Sequence, residues 1–443
     1  MSETSAPQTR AKGRDAAIVR GVLAVAAVRV ISAGTAVLTL GIAARSLTQE
    51  EFGFVAALFS LWMILIMLDL GVGGTLTTRV AVAHARDDLD EMRMHVRDAV
   101  FTLSAIGALI AGAGTLSAFL LPWGGWVGGS LPPSTVRPAV ILAFIITGAT
   151  LPAIVGVVTL NGRQRMATAQ LLNALRSVVA LLATVVVAAM DLGPWAFILA
   201  MLGSPALVAF AITCWVVAVD LRGDRQRAAL DAGRVGTMIR DSSYFALFGI
   251  SNAVALGTGT FIVALILGPA AAAIFSVVSR MFTLLLSFIV LSGTQLWPAM
   301  TEAIARGELA WARIRYRHGI VVAGLATSAA SLGLIVLGRP LARVWVGSEL
   351  VPPLHLFVWT AAFTIVMAVA AQASVLLLAV ERVRALAAVC VANAVVSVTA
   401  SVLLTELIGA SGAAAGAFLS CLAVLLPGIA VLCWSTLRHL EDD

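Results

Sequence analysis

Four ionisable side chains lie inside long apolar stretches of this sequence. Arg29, Arg176 and Arg280 are each surrounded by hydrophobic residues, and Asp69 lies near the end of another apolar stretch. A charge placed in hydrocarbon is costly and usually marks a site for a substrate, an ion or a second charge. A guanidinium holds phosphate oxygens in pairs through its planar fork. The three arginines could therefore line one path for an anion.

Helix geometry gives these candidates approximate depths and leaves alternatives open. At 1.5 Å per residue, Arg29 lies about 13 Å and Arg280 about 15 Å from the end of its stretch. Asp69 lies at nearly the depth of Arg29, so a salt bridge between them competes with a ligand-binding role for Arg29. Arg176 could instead extend toward the membrane interface. Arg280 has no acidic residue at its depth on neighbouring stretches, which favours a ligand-binding role.

The composition indicates which elements must hold these residues. Of 443 residues, 60% are hydrophobic and 12% are charged, whereas soluble globular proteins have about 45–50% and about 25%. This excludes a water-soluble enzyme. A membrane-crossing helix needs roughly 20 apolar residues, so about a dozen crossings fit the length. We therefore predict an all-α polytopic membrane protein.

Apolar runs long enough to cross a membrane occur along the whole chain. The first is too long for a signal-peptide core and contains Arg29, so it is expected to remain as a membrane helix. Thr48 with Glu51 three residues later predicts a capping box at the start of the second. Three glycines after Asp69, beginning with Gly71, are expected to allow close helix contact rather than bending. The runs are 21–44, 52–78, 99–121, 138–160, 167–189, 195–219, 242–266, 270–297, 319–338, 354–379, 385–407 and 412–435.

Basic residues predict the orientation of these helices. With the N-terminus in the cytoplasm, 22 of the 29 basic residues fall in cytoplasmic tails and loops, and only 4 fall in the opposite loops. Basic loop residues are retained on the cytoplasmic side. We therefore expect both termini to be cytoplasmic.

Short motifs recur about 220 residues apart, in the same order. Because the offset is half the chain, it indicates duplication of a six-helix unit, and an even helix number makes the repeat parallel. A substrate path is expected between the two halves. The matching pairs are 126–133 with 345–353, 163–173 with 382–393, and 83–88 with 303–308. The predicted organisation is a tail (1–20), a first six-helix bundle (21–219), a linker (220–241), a second bundle (242–435) and a tail (436–443).

Other classes of function lack the residues they need. The four cysteines lie in apolar runs without a CxxC pair, which argues against a disulfide framework and a zinc site. The basic residues are distributed over many loops, which argues against binding of nucleic acid. No catalytic constellation is evident on the short outer loops. We expect a non-enzymatic protein without a metal or cofactor.

Several stretches of the sequence resemble a known family of membrane proteins. The stretch 41–53, the Asp69-Leu70-Gly71 motif and the later Arg79 are similar to the opening of bacterial oligosaccharide flippases, and residues 267–269 and 279–281 extend the likeness. These flippases form the polysaccharide-transporter branch of the multidrug/oligosaccharidyl-lipid/polysaccharide exporter superfamily. The resemblance implies a V-shaped pair of bundles in the bacterial plasma (inner) membrane. Such a pair moves a lipid-linked oligosaccharide between leaflets by alternating access.

The resemblance also implies roles for the candidate residues. The polyprenyl diphosphate of the substrate would bind Arg29 and Arg280, with Arg176 as a further cation. Asn252 lies in the middle of its run and is the best candidate for a sugar contact, although such amides often bond between helices. Asp69 would bind a coupling cation, a proton or sodium, or pair with Arg29. Membrane lipids, glycosyltransferases and a polysaccharide polymerase are the expected partners.

Two other functions remain open at this stage. A cation-coupled exporter of small molecules or drugs could use the same scaffold, and its cavity would be lined by carboxylates and aromatic rings rather than by arginine. A membrane-bound glycan polymerase or ligase would need reactive groups on a sizeable outer loop. The charges that line the cavity therefore distinguish between the transport hypotheses.

Overall fold

The computed structural model describes residues 28, 31–69, 71–163, 165–220, 232–305, 309–347, 350–380 and 382–442. Within these ranges the regular structure is helical and contains no strand. Eleven described helices are long and apolar enough to cross a membrane, and a shorter apolar helix precedes them. The predicted all-α polytopic class with about twelve membrane helices is confirmed.

Six membrane helices belong to each half of the chain, together with one additional helix in the first half. The capping box predicted at Thr48 is present, with Glu51 N donating to Thr48 Oγ1 over 3.3 Å and Thr48 N donating to Glu51 Oε2 over 3.0 Å. The first half contains α1 (Ile31–Ser46), α2 (Gln49–Asp69), α3 (Val72–Ala85), α4 (Leu89–Leu120), α5 (Pro133–Gly162), α6 (Met166–Ala189) and α7 (Pro194–Ala218). The second half contains α8 (Ala232–Leu267), α9 (Pro269–Ala305), α10 (Leu309–Val346), α11 (Leu354–Ala379), α12 (Val383–Ile408) and α13 (Ser411–Arg438).

The helix starts repeat along the chain, as the duplicated motifs predicted. Helices α2, α4, α5, α6 and α7 begin at residues 49, 89, 133, 166 and 194, and their counterparts begin at 269, 309, 354, 383 and 411. The offset stays close to half the chain length, and the even helix number gives both copies the same orientation. Helix α8 begins at Ala232, inside the predicted linker of 220–241, and residues 221–231 lie outside the described part.

The predicted run over 52–78 is divided in the structure. Helix α2 ends at Asp69 in a short turn of 3-10 helix, and α3 begins at Val72. Gly71 links them with φ of 72°, a left-handed conformation that is costly for other residues. A Cβ atom at Gly74 would have no atom within 4 Å. The expectation that these glycines serve close helix contact is therefore wrong for Gly71 and Gly74, because Gly71 instead permits the break.

The two halves share one apolar core at a single end of the molecule, which we call the closed end. This core joins residues 43–58 of the first half to residues 263–282 and 342–361 of the second half. Two further cores belong to the first half alone, and another belongs to the second half alone. Away from the closed end the apolar cores of the two halves are separate, although α8 still contacts α3 and the last turn of α2. The space between the halves lies toward the opposite, open end.

Direct contacts hold the closed end together along two seams. Between α2 and α9, the helices approach so closely that a Cβ atom at Gly53 would lie 1.6 Å from the carbonyl oxygen of Pro269. Between α1 and α10, the indole Nε1 of Trp345 donates to the carbonyl of Val37 over 2.7 Å. The Arg45 side chain donates to the carbonyls of Val344 and Trp345, near the end of α10. A cation at a helix C-terminus also interacts favourably with the helix dipole.

Candidate functional site

A cavity of about 1050 Å³ lies between the halves, beyond the shared core. Its walls come from α1, α2, α6 and α7 of the first half and from α8, α9, α11, α12 and α13 of the second half. Along α6, α11 and α12 the lining residues lie in the half of the helix nearest the open end. The cavity is mainly apolar but carries many hydroxyl and amide groups. These are Ser32, Thr35, Thr39, Ser60, Gln170, Asn173, Ser177, Asn252, Thr260, Ser276, Ser279, Thr283, Gln372 and Ser374.

The charged residues of the cavity wall are both arginines. The first half contributes Arg176 from α6, and the second half contributes Arg280 from α9. No aspartate or glutamate lines the cavity in the part of the chain that the structure describes. Opposite charges in a low-dielectric cavity attract strongly, so this wall favours an anion over a cation.

Arg280 reaches the cavity with few internal partners. Its side chain is partly exposed, but its Nε is completely buried and has no hydrogen-bond partner among the described residues. The guanidinium carbon lies over the ring of Phe59, 5.3 Å from the ring centre. Phe59 belongs to α2, so this cation–π contact joins the two halves. Buried donors are normally satisfied, and an unsatisfied one in a native structure needs an explanation.

Arg176 is held more firmly, within its own half. Its Nε donates to the carbonyl of Pro205 on α7 over 3.1 Å, and one terminal nitrogen donates to Asn173 Oδ1 over 3.1 Å. A guanidinium has five N–H donors, so these two bonds leave others available on the cavity side. The side chain therefore turns to the cavity wall, rather than extending along the helix to the interface as the alternative interpretation allowed.

The remaining predicted site residues have different surroundings. Asn252 on α8 lines the cavity and is half-buried. Asp69 is absent from the described cavity lining, and its carboxylate accepts hydrogen bonds from Gly71 N at 2.9 Å and Gly73 N at 3.3 Å. Asp69 thus caps the start of α3. Arg29 lies outside the described residues, so its predicted roles, as a ligand or as a partner of Asp69, stay predictions.

Two aromatic residues of the site were not expected from the sequence. Phe59 and Trp62 both line the cavity, with ring centres 5.3 Å apart. The Nε1 of Trp62 is buried and, among the described residues, has no acceptor. Their three-residue spacing places them on one face of α2. No local signal shows which helix of the other half this face meets, so the contact with Arg280 could not be predicted.

The described residues contain no group of three or more histidine, cysteine, aspartate or glutamate side chains able to hold a metal ion. The chemistry of the cavity is therefore that of guanidinium, hydroxyl, amide and aromatic groups. Such a set binds and orients a polar anionic molecule through hydrogen bonds and charge.

The structure is similar to solved structures of membrane transporters, which have the same fold. An inward-facing multidrug resistance MATE family transporter of the MOP superfamily is 15% identical, with a TM-score of 0.79 over 91% of this chain and 94% of the other. An outward-facing structure of such a transporter is 14% identical, with a TM-score of 0.67 and 96% coverage of both chains.

A MOP superfamily transporter from Pyrococcus furiosus is a further match. It is 15% identical and has a TM-score of 0.68, covering 94% of this chain and 96% of the other; a reversed polarity of its binding pocket suggests a different function for that protein. At these identities the likenesses show the fold. No curated protein matches the chain.

The family itself is shown by sequence. Residues 18–304, well over half of the chain, match the family model described as polysaccharide biosynthesis protein. The described membrane helices and the fold are shared with solved structures of MOP superfamily transporters. By its sequence, the chain belongs to the polysaccharide biosynthesis protein family.

Proposed function

We propose that this transporter is a flippase for a lipid-linked oligosaccharide used in cell-surface polysaccharide biosynthesis. The observation that carries the proposal is the charge of the cavity wall: Arg176 and Arg280 are its charged residues, and no carboxylate is among the described lining. A polyprenyl diphosphate headgroup supplies the matching anion. Arginine recognises phosphate through paired hydrogen bonds.

The other groups of the cavity wall are chemically suited to the remaining parts of such a substrate. The hydroxyl and amide groups of the wall, with Asn252 among them, would contact sugars. The apolar share of the wall and the surrounding bilayer would take the polyprenyl chain. A cavity of about 1050 Å³ matches the upper end of the usual range for small-molecule sites, about 300–1,000 Å³. It suits a headgroup with its first few sugars.

The open end is proposed to face the cytoplasm of a bacterial plasma membrane. Loops and helix ends at this end carry Arg86, Arg163, Arg165, Arg382 and Arg384. Basic residues of this kind are retained on the cytoplasmic side. Both termini would then be cytoplasmic, and the cavity would load from the leaflet where glycosyltransferases finish the glycan. A polymerase on the opposite side would consume it.

Transport against a gradient needs a source of free energy, and we propose a cation gradient of protons or sodium. Asp69 is the acidic residue proposed for this coupling, either directly or through pairing with Arg29. Its position at the break between α2 and α3 would let a change of charge act on a bend in the helix.

The test is leaflet-specific detection of the lipid-linked glycan in cells with and without the protein. Cells lacking it should accumulate the glycan in the inner leaflet, and wild-type protein should restore its appearance outside. Arg280→Ala should fail to restore it at normal protein abundance. Arg137→Ala is the matched control, because Arg137 lies over the Phe119 ring at 5.2 Å but is not among the cavity-lining residues.

A cation-coupled exporter of small molecules is the second candidate, favoured by the likeness to a multidrug resistance transporter. It predicts export of cationic compounds without change in the leaflet distribution of the glycan. Drug efflux that survives Arg280→Ala, together with unchanged glycan distribution in cells lacking the protein, would replace the flippase proposal with this one.

A further inference from the structure

The Arg280 site is built from both halves of the chain. Arg280 is carried by α9, and the aromatic face beneath its guanidinium is carried by α2, where Phe59 lies 5.3 Å away. Nε is buried without a hydrogen-bond partner in the described residues, and the cation–π contact with the ring is the specific interaction of this guanidinium there. A guanidinium stacked on a ring keeps its outer N–H groups free in the guanidinium plane, where they can grip an anion.

A second unsatisfied donor lies beside the same ring. Trp62 contacts Phe59 with ring centres 5.3 Å apart, and its buried Nε1 has no described acceptor. Two donors without a described partner, Arg280 Nε and Trp62 Nε1, therefore belong to side chains that both contact the Phe59 ring at the cavity wall. Each leaves a desolvated N–H uncompensated, which is a cost that a bound oxygen-rich headgroup could relieve after a small side-chain movement.

We propose that Phe59 is the positioning residue of the anion site: its ring, on the first half, holds the Arg280 guanidinium of the second half in the orientation that binds a diphosphate. This inference rests on the proposed flippase function and adds the residue that orients its main cation. It also makes headgroup affinity depend on how the two halves are placed.

That dependence follows from the helices involved. Helices α2 and α9, which carry Phe59 and Arg280, also form the closed-end seam where Gly53 meets Pro269. Phe59 lies about 9 Å along α2 from Gly53, and Arg280 about 16 Å along α9 from Pro269, at 1.5 Å per residue. A movement that opens this seam must shift the ring relative to the guanidinium. The site is thus assembled while the open end is accessible and is disturbed when the closed end opens, so affinity falls on the releasing side.

The test uses binding of farnesyl diphosphate to the purified full-length protein in nanodiscs. Phe59→Leu should weaken binding about 2- to 30-fold, the range expected for loss of a cation–π contact. Phe59→Tyr should bind like the wild type, because it keeps the aromatic face. Phe119→Leu is the matched control and should leave binding unchanged, because its ring contacts Arg137 instead of a cavity residue.

Two further measurements separate positioning from general damage to the fold. Fluorinated phenylalanine at position 59 keeps the shape of the ring but removes charge from its face, so binding should weaken stepwise with fluorine number. In an Arg280→Gln background, Phe59→Leu should cause no additional loss, because the ring acts through the guanidinium. The fluorination series can be interpreted even if Phe59→Leu folds poorly, because it leaves the shape of the ring unchanged.

The outcomes distinguish this inference from the proposed function. If wild-type protein binds farnesyl diphosphate no better than Arg280→Gln does, the anionic substrate itself is overturned. If binding depends on Arg280 but is insensitive to fluorination, or if Phe59→Leu is equally damaging without Arg280, only the positioning role is overturned.

Discussion

The same element of the duplicated unit has two forms in this protein. In the first half, residues 49–85 form α2 and α3, with a break at Asp69–Gly71; in the second half, residues 269–305 form the single helix α9. At the offset of 220 between these stretches, Ser60 occupies the position equivalent to Arg280. The duplicated scaffold thus carries a bend in one copy and a membrane-embedded cation in the other.

The two equivalent positions, Ser60 and Arg280, both connect the halves of the chain but do so through different chemistry. Ser60 donates a hydrogen bond to the carbonyl of Gly257 on α8 and so joins the halves as a neutral group. Its counterpart Arg280 joins them through a cation–π contact with Phe59 and keeps its charge at the cavity wall. A second arginine at position 60 would repel Arg280 across the interface, whereas a hydroxyl there does not.

Removal of the cation on α9 should have the largest effect. Charge-assisted hydrogen bonds contribute about 1.5–3 kcal/mol, so Arg280→Ala should reduce headgroup affinity by roughly 10- to 150-fold and abolish glycan translocation. Protein abundance and melting temperature should stay near wild type. Ser60→Ala at the equivalent position should retain most transport. Equal loss of folded protein with Arg280→Ala would instead indicate a structural role for the arginine.

The close approach between α2 and α9 is expected to have the next largest effect. Gly53→Ala would place a Cβ atom 1.6 Å from the Pro269 carbonyl oxygen, and overpacking of this kind costs about 1–3 kcal/mol. The added atom should push the closed end apart, which is measurable as increased labelling of a cysteine introduced at Gln49. Gly74→Ala is the control, because no atom lies within 4 Å of its added Cβ. Unchanged labelling with Gly53→Ala would show that the seam is not a barrier to opening.

Substitution at the break between α2 and α3 should have a smaller effect than the two preceding changes. Gly71→Ala introduces a side chain at φ of 72°, and the left-handed conformation costs about 1–2 kcal/mol for a residue with a Cβ atom. Thermal unfolding should therefore occur at a lower temperature, and transport should slow if the bend is needed in the cycle. Alanine at Leu291, the equivalent position in the unbroken α9, introduces no such strain. If Gly71→Ala and Leu291→Ala reduced transport equally, the bend would have no specific role in the transport cycle.

Much of this architecture follows from sequence alone. Hydrophobic runs predict nearly all the membrane helices because each must satisfy its backbone hydrogen bonds locally, and the repeat predicts the two halves. Arg280 stood out from the sequence because no acidic residue lies at its depth on neighbouring stretches, whereas Arg176 left extension to the interface open. Both arginines line the cavity, and their binding of a substrate stays a prediction.

The features that the sequence did not predict depend mostly on contacts between segments that lie far apart in the chain. The partner of Arg280 is a phenylalanine more than 200 residues away, and phenylalanine is common in membrane helices, so its ring gives no distinctive signal. The break at Gly71 was overlooked because the flanking residues are apolar and glycine serves both bends and contacts. The capping role of Asp69 was likewise not predicted: its type and depth suggested a charge partner, which stays a prediction, and the structure adds that it caps α3 beside the break.

Substitution of Asp69 is expected to change stability least. Two variants distinguish its capping of α3 from its proposed role in cation coupling. Asp69→Asn keeps one oxygen acceptor, which serves one of the two N–H groups that Asp69 Oδ1 and Oδ2 accept from, so it should destabilise the protein less than Asp69→Ala, which should cost about 0.5–2 kcal/mol. Both variants remove the negative charge, so both should lose dependence of transport on the cation gradient if Asp69 couples the cycle. Flipping in proteoliposomes with and without a gradient measures this directly. Gradient-dependent transport by Asp69→Asn would limit Asp69 to capping, and the driving cation would then have to act at another residue.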